Sequence, residues 1–453
     1  MTHKKHIHCI GIGGIGISAI ARYYLAQGYR VTGTNMGHSP LLDTLVSEGI
    51  EIVAEGASVI SADTVKVIYT EAIIDDDALG LAWVRANHKP EIEAGQKFGS
   101  QILSYPEALA ELFHTFPMKI AVAGAHGKST TSAMIGTILH DLQASGTTIT
   151  GTLVKAFDGR NISSEGQKIM NIEACEYRNA FLHYHPDIAV VTNIDPDHLD
   201  FFKTEDAYEQ AFHTFARSAK CLVILADEAE KKGMIGLAPT TVLVSENSFE
   251  VRGEVFNGLQ PGVYDYILPS LVVPGDHIRL DASLAYVVSQ LLRLDPEAAK
   301  NSLANYPGSW RRMEIIRTTP NWNLLMSDYG HHPTEIIATL GALKKAYPDK
   351  KLVVFFEPHQ YSRTYELREE FATSFKSADM TYISDIYAAR DIDQRRDMIT
   401  SWVLAEMVAK NSPCEYVGTL DDARIKLQTI DATEKNALLL LLGAGNIDEL
   451  RSI

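Results

Sequence analysis

The sequence predicts an α/β protein of three successive domains, and three observations lead there. Short β-rich runs alternate with amphipathic helical stretches along nearly the whole chain. The alternation is broken twice, by Tyr105-Pro106 together with Pro117 and again by Pro307-Gly308-Ser309. The length of 453 residues, at about 150 per domain, also suggests three. The expected boundaries are 1–106, 107–307 and 308–453.

In the first domain, strands are expected over 6–12 and 29–34, with a helix over 18–27 between them and a later strand over 65–73. A helical piece over 107–114 reads as the connector. The second domain opens with an apolar strand over 118–123, a glycine turn and a long helix over 130–142. It continues with strands over 169–172, 188–192 and 222–225 and a helix over 204–219. In the third, strands are expected over 324–326, 352–356, 381–383 and 438–442.

Composition narrows the function class. With 46% hydrophobic and 22% charged residues the chain falls in the range of folded soluble domains, which excludes disorder. A net charge of -16 argues against a broadly basic nucleic-acid surface. No apolar run approaches the roughly 20 residues that span a bilayer, and residues 1–8 are too polar for a signal peptide, so a cytoplasmic protein without membrane insertion is expected. Cys9, Cys175, Cys221 and Cys414 are widely spaced and include no CxxC pair, which points to reduced thiols rather than a disulfide framework or a zinc site.

Four clusters carry chemistry. Gly11, Gly13 and Gly16, with Gly14 and Ile15 between them, fit GxGxxG between a strand and a helix. Such glycines let the backbone turn tightly and approach a pyrophosphate on the helix N-terminus. A dinucleotide site also wants an acidic residue about 20 positions on. Asn35 stands near that place, so the loop reads as holding the pyrophosphate of some nucleotide rather than as a dehydrogenase signature. The second cluster, Gly124-Ala125-His126-Gly127-Lys128-Ser129-Thr130, is a shortened phosphate loop. In it backbone amides surround phosphates, Lys128 reaches the terminal ones, and Ser129 or Thr130 offers a hydroxyl to Mg²⁺.

Glu173 and Glu176 follow one strand of the second domain, and 193–198 follows another. In an open α/β sheet both should emerge near the phosphate loop. Glu173 suits Mg²⁺, which takes few protein oxygens; His198 is a candidate second ligand or substrate-orienting group. The third domain holds Arg311-Arg312, then 328–333, then 357–363, whose arginines suit phosphate or carboxylate oxygens.

Taken together these strings resemble the Mur ligase family, the ATP-dependent amide-forming enzymes of peptidoglycan precursor synthesis, over essentially the whole chain. The resemblance is carried by IHCIGIGGIGIS, AVAGAHGKSTT, EACEYRNAFLHYHPDIAVVTNIDPDHLDFF, RRME, SDYGHHPTE, FFEPHQYSRT and SDIYAARD. It implies a Rossmann-like UDP-sugar domain, a central P-loop ATPase domain and a Rossmann-like closure domain for the amino acid. It also implies a cytoplasmic ligase serving cell wall biogenesis, cell shape and cell division. The GIGGIG start favours the member that adds L-alanine to UDP-N-acetylmuramate over the murein tripeptide ligase of cell-wall recycling. ATP and Mg²⁺, or Mn²⁺ in its place, follow, in a monomer or weak homo-oligomer.

By the same resemblance, Gly11, Gly13, Gly14, Ile15, Gly16, Ser18 and Asn35 face the UDP-sugar. Gly124, Gly127, Lys128, Ser129 and Thr130 hold ATP phosphates; Thr130 and Glu173 hold one Mg²⁺, and His198 a second. His277, Arg312 and Asp328 contact ATP, while Tyr329, His331, His359 and Arg363 hold alanine and the acyl oxygens. Five positions depart from the family pattern. Cys175 replaces an Asp in the EADE run, and Ile278 and Asp281 stand where an adenine segment usually carries amides. Gln360 replaces an Arg and Asn35 an Asp. A non-catalytic UDP-sugar-binding homologue is the alternative the altered adenine segment raises, and a nicotinamide-dependent oxidoreductase the one that GxGxxG alone would suggest.

Overall fold

The computed structural model describes residues 5–56, 59–74, 88–196, 199–388 and 397–452. It is an α/β fold built on three sheets. The first contains β1 (His6–Ile10), β2 (Arg30–Thr34), β3 (Glu51–Ile52), β4 (Thr64–Tyr69) and β5 (Gln101–Ser104), in the order β3-β2-β1-β4-β5 and all parallel. The order reverses between β1 and β4, which places the glycine loop after β1 at the switch point where such sheets bind ligands.

The second sheet runs from β6 (Met118–Ala123), β7 (Gly146–Val154) and β8 (Arg160–Ser164) through β9 (Ile169–Glu173), β10 (Ile188–Val191), β11 (Cys221–Leu225) and β12 (Thr240–Val244) to β13 (Ser248–Gly253) and β14 (Gly262–Asp265). Its order is β14-β13-β12-β11-β10-β6-β9-β7-β8, parallel at the centre with an antiparallel hairpin at each end. The third sheet holds β15 (Glu314–Thr318), β16 (Leu324–Asp328), β17 (Leu352–Phe356), β18 (Met380–Ser384), β19 (Cys414–Gly418) and β20 (Leu438–Leu442). Its order is β15-β16-β20-β17-β18-β19, with only β15 antiparallel. β20 is five consecutive leucines, all buried, as a strand covered on both faces requires.

Several element ends differ from the sequence expectation for one physical reason. The helices expected over 18–27 and 130–142 begin earlier, as Ile15–Ala26 and Lys128–Asp141, because each glycine loop runs straight into its helix with Gly14 or Gly127 at the cap. The strand expected over 65–73 stops at Tyr69, where Thr70 caps a 3₁₀ turn over Glu71–Ile73. The connector helix is Tyr105–Phe113, started by a capping box between Ser104 and Glu107.

Contacts divide the chain into two compact units. The first comprises 1–269 and 281–304, and the second 270–280 and 305–453. The first two sheets share the first unit because one apolar cluster runs through both, from Ile7, Ala19 and Phe113 to Ala121, Phe181 and Phe212. The third sheet has its own core around Val353, Phe355, Leu439 and Leu441. Among the described residues no helix is long and apolar enough to cross a membrane, and the four cysteines are unpaired thiols.

Candidate active site

In the first unit the register of the second sheet assembles the phosphate loop. Val122 pairs with Glu173 and Ala123 with Val191, so the turn after β6 is flanked by the ends of β9 and β10. Gly124 adopts φ +139 and a Cβ there would lie 2.0 Å from the Thr192 hydroxyl, so only glycine fits. Asn193 clamps the loop from the side: its Oδ1 accepts from the His126 amide at 3.0 Å and its Nδ2 donates to the His126 carbonyl at 2.9 Å. The His126 ring lies 3.5 Å from Asp195.

Lys128 donates from Nζ to the carbonyls of Gly124 and Ala125 and to Glu176, whose two oxygens lie 3.1 and 3.0 Å away. Burial alone would lower its pKa. The Glu176 carboxylate, 1% exposed, outweighs that together with Glu173, and the ammonium is held above its ordinary value. Glu173 accepts from the Ser129 hydroxyl at 3.0 Å and from the Gly151 amide at 2.7 Å. The hydroxyl beside Glu173 is therefore that of Ser129, the residue directly after the lysine; Thr130 is buried one position further along the helix. A hydroxyl and a carboxylate side by side make a hard oxygen pair suited to Mg²⁺, which takes its remaining ligands from water and phosphate.

Asp281, expected near adenine, is buried against this loop: a Cβ on Gly127 would meet its Oδ1 at 2.5 Å. Cys175 lies exposed between the two glutamates. His198 falls outside the described residues.

The glycine loop after β1 is tight. Gly11 has φ +75, Gly14 donates to the Gly11 carbonyl at 3.1 Å, and the Gly13 amide donates to Asn35 Oδ1 at 3.0 Å. A Cβ on Gly16 would meet the Tyr105 ring at 2.5 Å, so this glycine admits the connector helix. Ile15 opens the helix, and Ser18 is fully buried with its hydroxyl donating to the Ile15 carbonyl at 2.9 Å.

In the second unit, loops at the carboxyl ends of β16 and β17 bring together Tyr329, His331, His359 and Arg363. The Tyr329 and His331 rings are 5.5 Å apart, His331 and His359 5.7 Å, and an Arg363 guanidinium nitrogen lies 3.2 Å from His359 Nδ1. Arginine only donates, so Nδ1 accepts and the neutral imidazole carries its proton on Nε2. Sequence reasoning assigned no role to Tyr387, which stacks on His359 at 5.6 Å and whose carbonyl accepts from the Gln360 amide at 2.8 Å. Its only signal was its place in the SDIYAARD string. Gln360 itself adopts φ +71.

Arg311 and Arg312 both pack on the Tyr329 ring at 4.9 Å, and Arg311 sits at φ +55. Asp328 is buried and committed to protein donors: the amides of Met313 at 2.8 Å and Gly330 at 2.9 Å, and the Thr339 hydroxyl. It acts on His277, whose pKa is lowered by burial first; Asp328 opposes that shift and Arg312 adds to it. His277, Arg312 and Asp328 thus share one neighbourhood. Glu335 orders the loop above, accepting from the His331 amide at 2.9 Å and standing 3.9 Å from Arg312.

Comparison with known proteins agrees with this geometry. "Mur ligase family, catalytic domain" matches residues 6–117, "Mur ligase middle domain" 122–252 and "Mur ligase, glutamate ligase domain" 311–445. The chain belongs to the Mur ligase family. The Mur ligase relatives include the UDP-N-acetylmuramate--L-alanine ligase of Caldanaerobacter subterraneus, 35% identical over 98% of this chain and 96% of that one. The ligase of the same name from Clostridium tetani is 31% identical over 99% and 97%. Among solved structures, the UDP-N-acetylmuramate-alanine ligase of Thermotoga maritima shares the fold with a TM-score of 0.74 at 24% identity, covering 99% of this chain and 97% of that one. A murein peptide ligase from Psychrobacter arcticus does so with a TM-score of 0.65 at 20%, covering 99% and 97%. These Mur ligase matches span all three sheets.

Proposed function

We propose that the chain joins L-alanine to UDP-N-acetylmuramate with ATP, giving UDP-N-acetylmuramoyl-L-alanine, ADP and phosphate in the cytoplasmic stage of peptidoglycan synthesis. The reading is supported above all by the match along 98% of the chain to a ligase of that name, with the phosphate-loop lysine, Ser129 and Glu173 in place. In this reading 1–106 binds the UDP-sugar, 107–307 binds ATP and 308–453 binds the amino acid.

A carboxylate does not condense with an amine in water, so the acid is activated first. A carboxylate oxygen of the muramate attacks the γ-phosphorus, the bond to the β,γ-bridging oxygen breaks, and ADP leaves with the electron pair. The amine nitrogen of alanine then attacks the acyl carbon and phosphate departs, with the excess amine proton passing to water or a carboxylate. Lys128 exchanges its Glu176 contact for the γ-phosphate. Ser129 and Glu173 would hold Mg²⁺, or Mn²⁺ in its place, which would supply neutralisation of the phosphate charge. His359, fixed by Arg363 with its proton on Nε2, donates to an acyl oxygen, and Tyr329 and His331 line the alanine site.

The test is phosphate release with UDP-N-acetylmuramate against L-alanine, glycine, L-serine and the murein tripeptide. L-Alanine is expected to give the highest kcat/KM, and preference for the tripeptide would replace this reading with the recycling activity.

A further inference from the structure

Asn161, in β8, is completely buried, and its side chain reaches into the N-terminal domain. Nδ2 donates to the Ser18 hydroxyl at 2.9 Å and to the Ile15 carbonyl, while Oδ1 accepts from Arg22 at 2.5 Å. Ile15, Ser18 and Arg22 lie on one face of the helix that opens at the glycine loop. Both amide hydrogens and the oxygen are thus used on a helix of another domain, which nothing in β8 itself requires. Arg22 also donates to Glu48 at 2.7 Å, and Glu48 takes Arg160, the neighbour of Asn161, at 2.9 Å.

On its other side Asn161 contacts β7. Its carbonyl accepts from Thr150 in β7 at 3.3 Å, and the next residue, Gly151, donates its amide to Glu173 at 2.7 Å. Glu173 in turn accepts from Ser129. Hydrogen bonds, joined through Asn161 itself and the Thr150–Gly151 peptide bond, therefore connect the first turn after the glycine loop to the carboxylate and hydroxyl of the phosphate loop.

We propose that Asn161 is a positioning residue: it fixes the sugar-nucleotide loop relative to Glu173 and Ser129, so that a ligand at either loop is felt at the other. The proposal rests on the ligase reading. In-line attack on a γ-phosphorus tolerates little misplacement of the attacking oxygen, which makes the height of this helix a catalytic variable.

The experiment compares wild type, Asn161→Ala, Asn161→Asp and Ser18→Ala in two assays. One is steady-state phosphate release with UDP-N-acetylmuramate, L-alanine and Mg·ATP. The other is calorimetric titration of UDP-N-acetylmuramate with and without the β,γ-imido analogue of ATP and Mg²⁺. Wild type is expected to bind the sugar nucleotide more tightly with the analogue present. In Asn161→Ala that enhancement should vanish and kcat should fall by about tenfold or more, with KM for ATP changing less than about threefold.

Asn161→Asp keeps the Arg22 contact and the side-chain volume but loses both donors, so it tests the same point should the alanine variant fail to fold. It should show the same loss, and Ser18→Ala a smaller one. Unchanged kcat and coupling in the folded variants, absence of coupling in wild type, or a parallel collapse of both affinities with the melting temperature would overturn the proposal. If wild type fails to turn over L-alanine, the functional reading falls while the titrations still judge the coupling.

Discussion

Lys128 has all three ammonium hydrogens engaged, by two loop carbonyls and Glu176, so a phosphate has to displace a partner already in place. Glu176→Gln removes the competing charge and is expected to tighten Mg·ATP binding several-fold, about 1 kcal/mol, by calorimetry; weaker binding would show that the carboxylate organises the lysine instead. Lys128→Ala should reduce phosphate release by at least about a hundredfold while UDP-N-acetylmuramate still binds, because the glycine loop is built separately. A matching loss of sugar-nucleotide affinity would contradict that division. Ser129→Ala should raise the Mg²⁺ requirement more than Thr130→Ala, which a titration of turnover against Mg²⁺ resolves. Lys128, Glu173 and the glycines were readable because their motifs demand those residue types at fixed spacing. The choice of Ser129 over Thr130 was not, since it depends on which hydroxyl the first helical turn aims at Glu173. Asn161 was invisible, because its contacts are made across long separations in sequence and follow no motif, and Tyr387 was marked only by its place in the SDIYAARD string.

At the scale of elements, the central strands were legible because β10, β17 and β20 are continuous apolar runs, as doubly covered parallel strands are. The hairpin β7–β8 was not, because its threonines and glycines read as loop while the sheet buries Thr147, Thr148 and Thr150. The loop after β17 carries a titration of its own. Glu357 is raised from its ordinary value of 4.5 to about 7, by burial first, against the opposing backbone amides of Ile447 and Asn446 and the charge of Arg311. The folded state therefore holds this proton more tightly than the unfolded chain. The stability it contributes is complete below pH 4.5 and is lost as pH rises through about 7, up to about 3 kcal/mol in all. Glu357→Gln stays neutral and can still accept from Ile447, so its stability relative to wild type should increase between pH 5 and pH 8. Equal urea-midpoint differences at the two pH values would refute this.

For the whole molecule, three α/β domains followed from length, alternation and two proline-marked breaks. The way the chain is shared between units did not, because the 270–280 segment carries no composition shift to mark it. Leu271, Val273 and Pro274 from that segment line a cavity in the second unit together with Ala342, Lys345 and Ala346. A fragment of 305–453 is therefore expected to unfold at lower urea than one of 270–453, and identical midpoints would mean the segment contributes nothing. The chain passes between the two units at 269/270, 280/281 and 304/305, and the helix Asp276–Leu291 contains the middle crossing. For the history of such genes this means that one recombination break cannot transplant the second unit alone. A cut near residue 305 leaves the recipient's own 270–280 segment to pack against a foreign helix, so exchange between lineages has to carry that segment along or proceed by substitution in place.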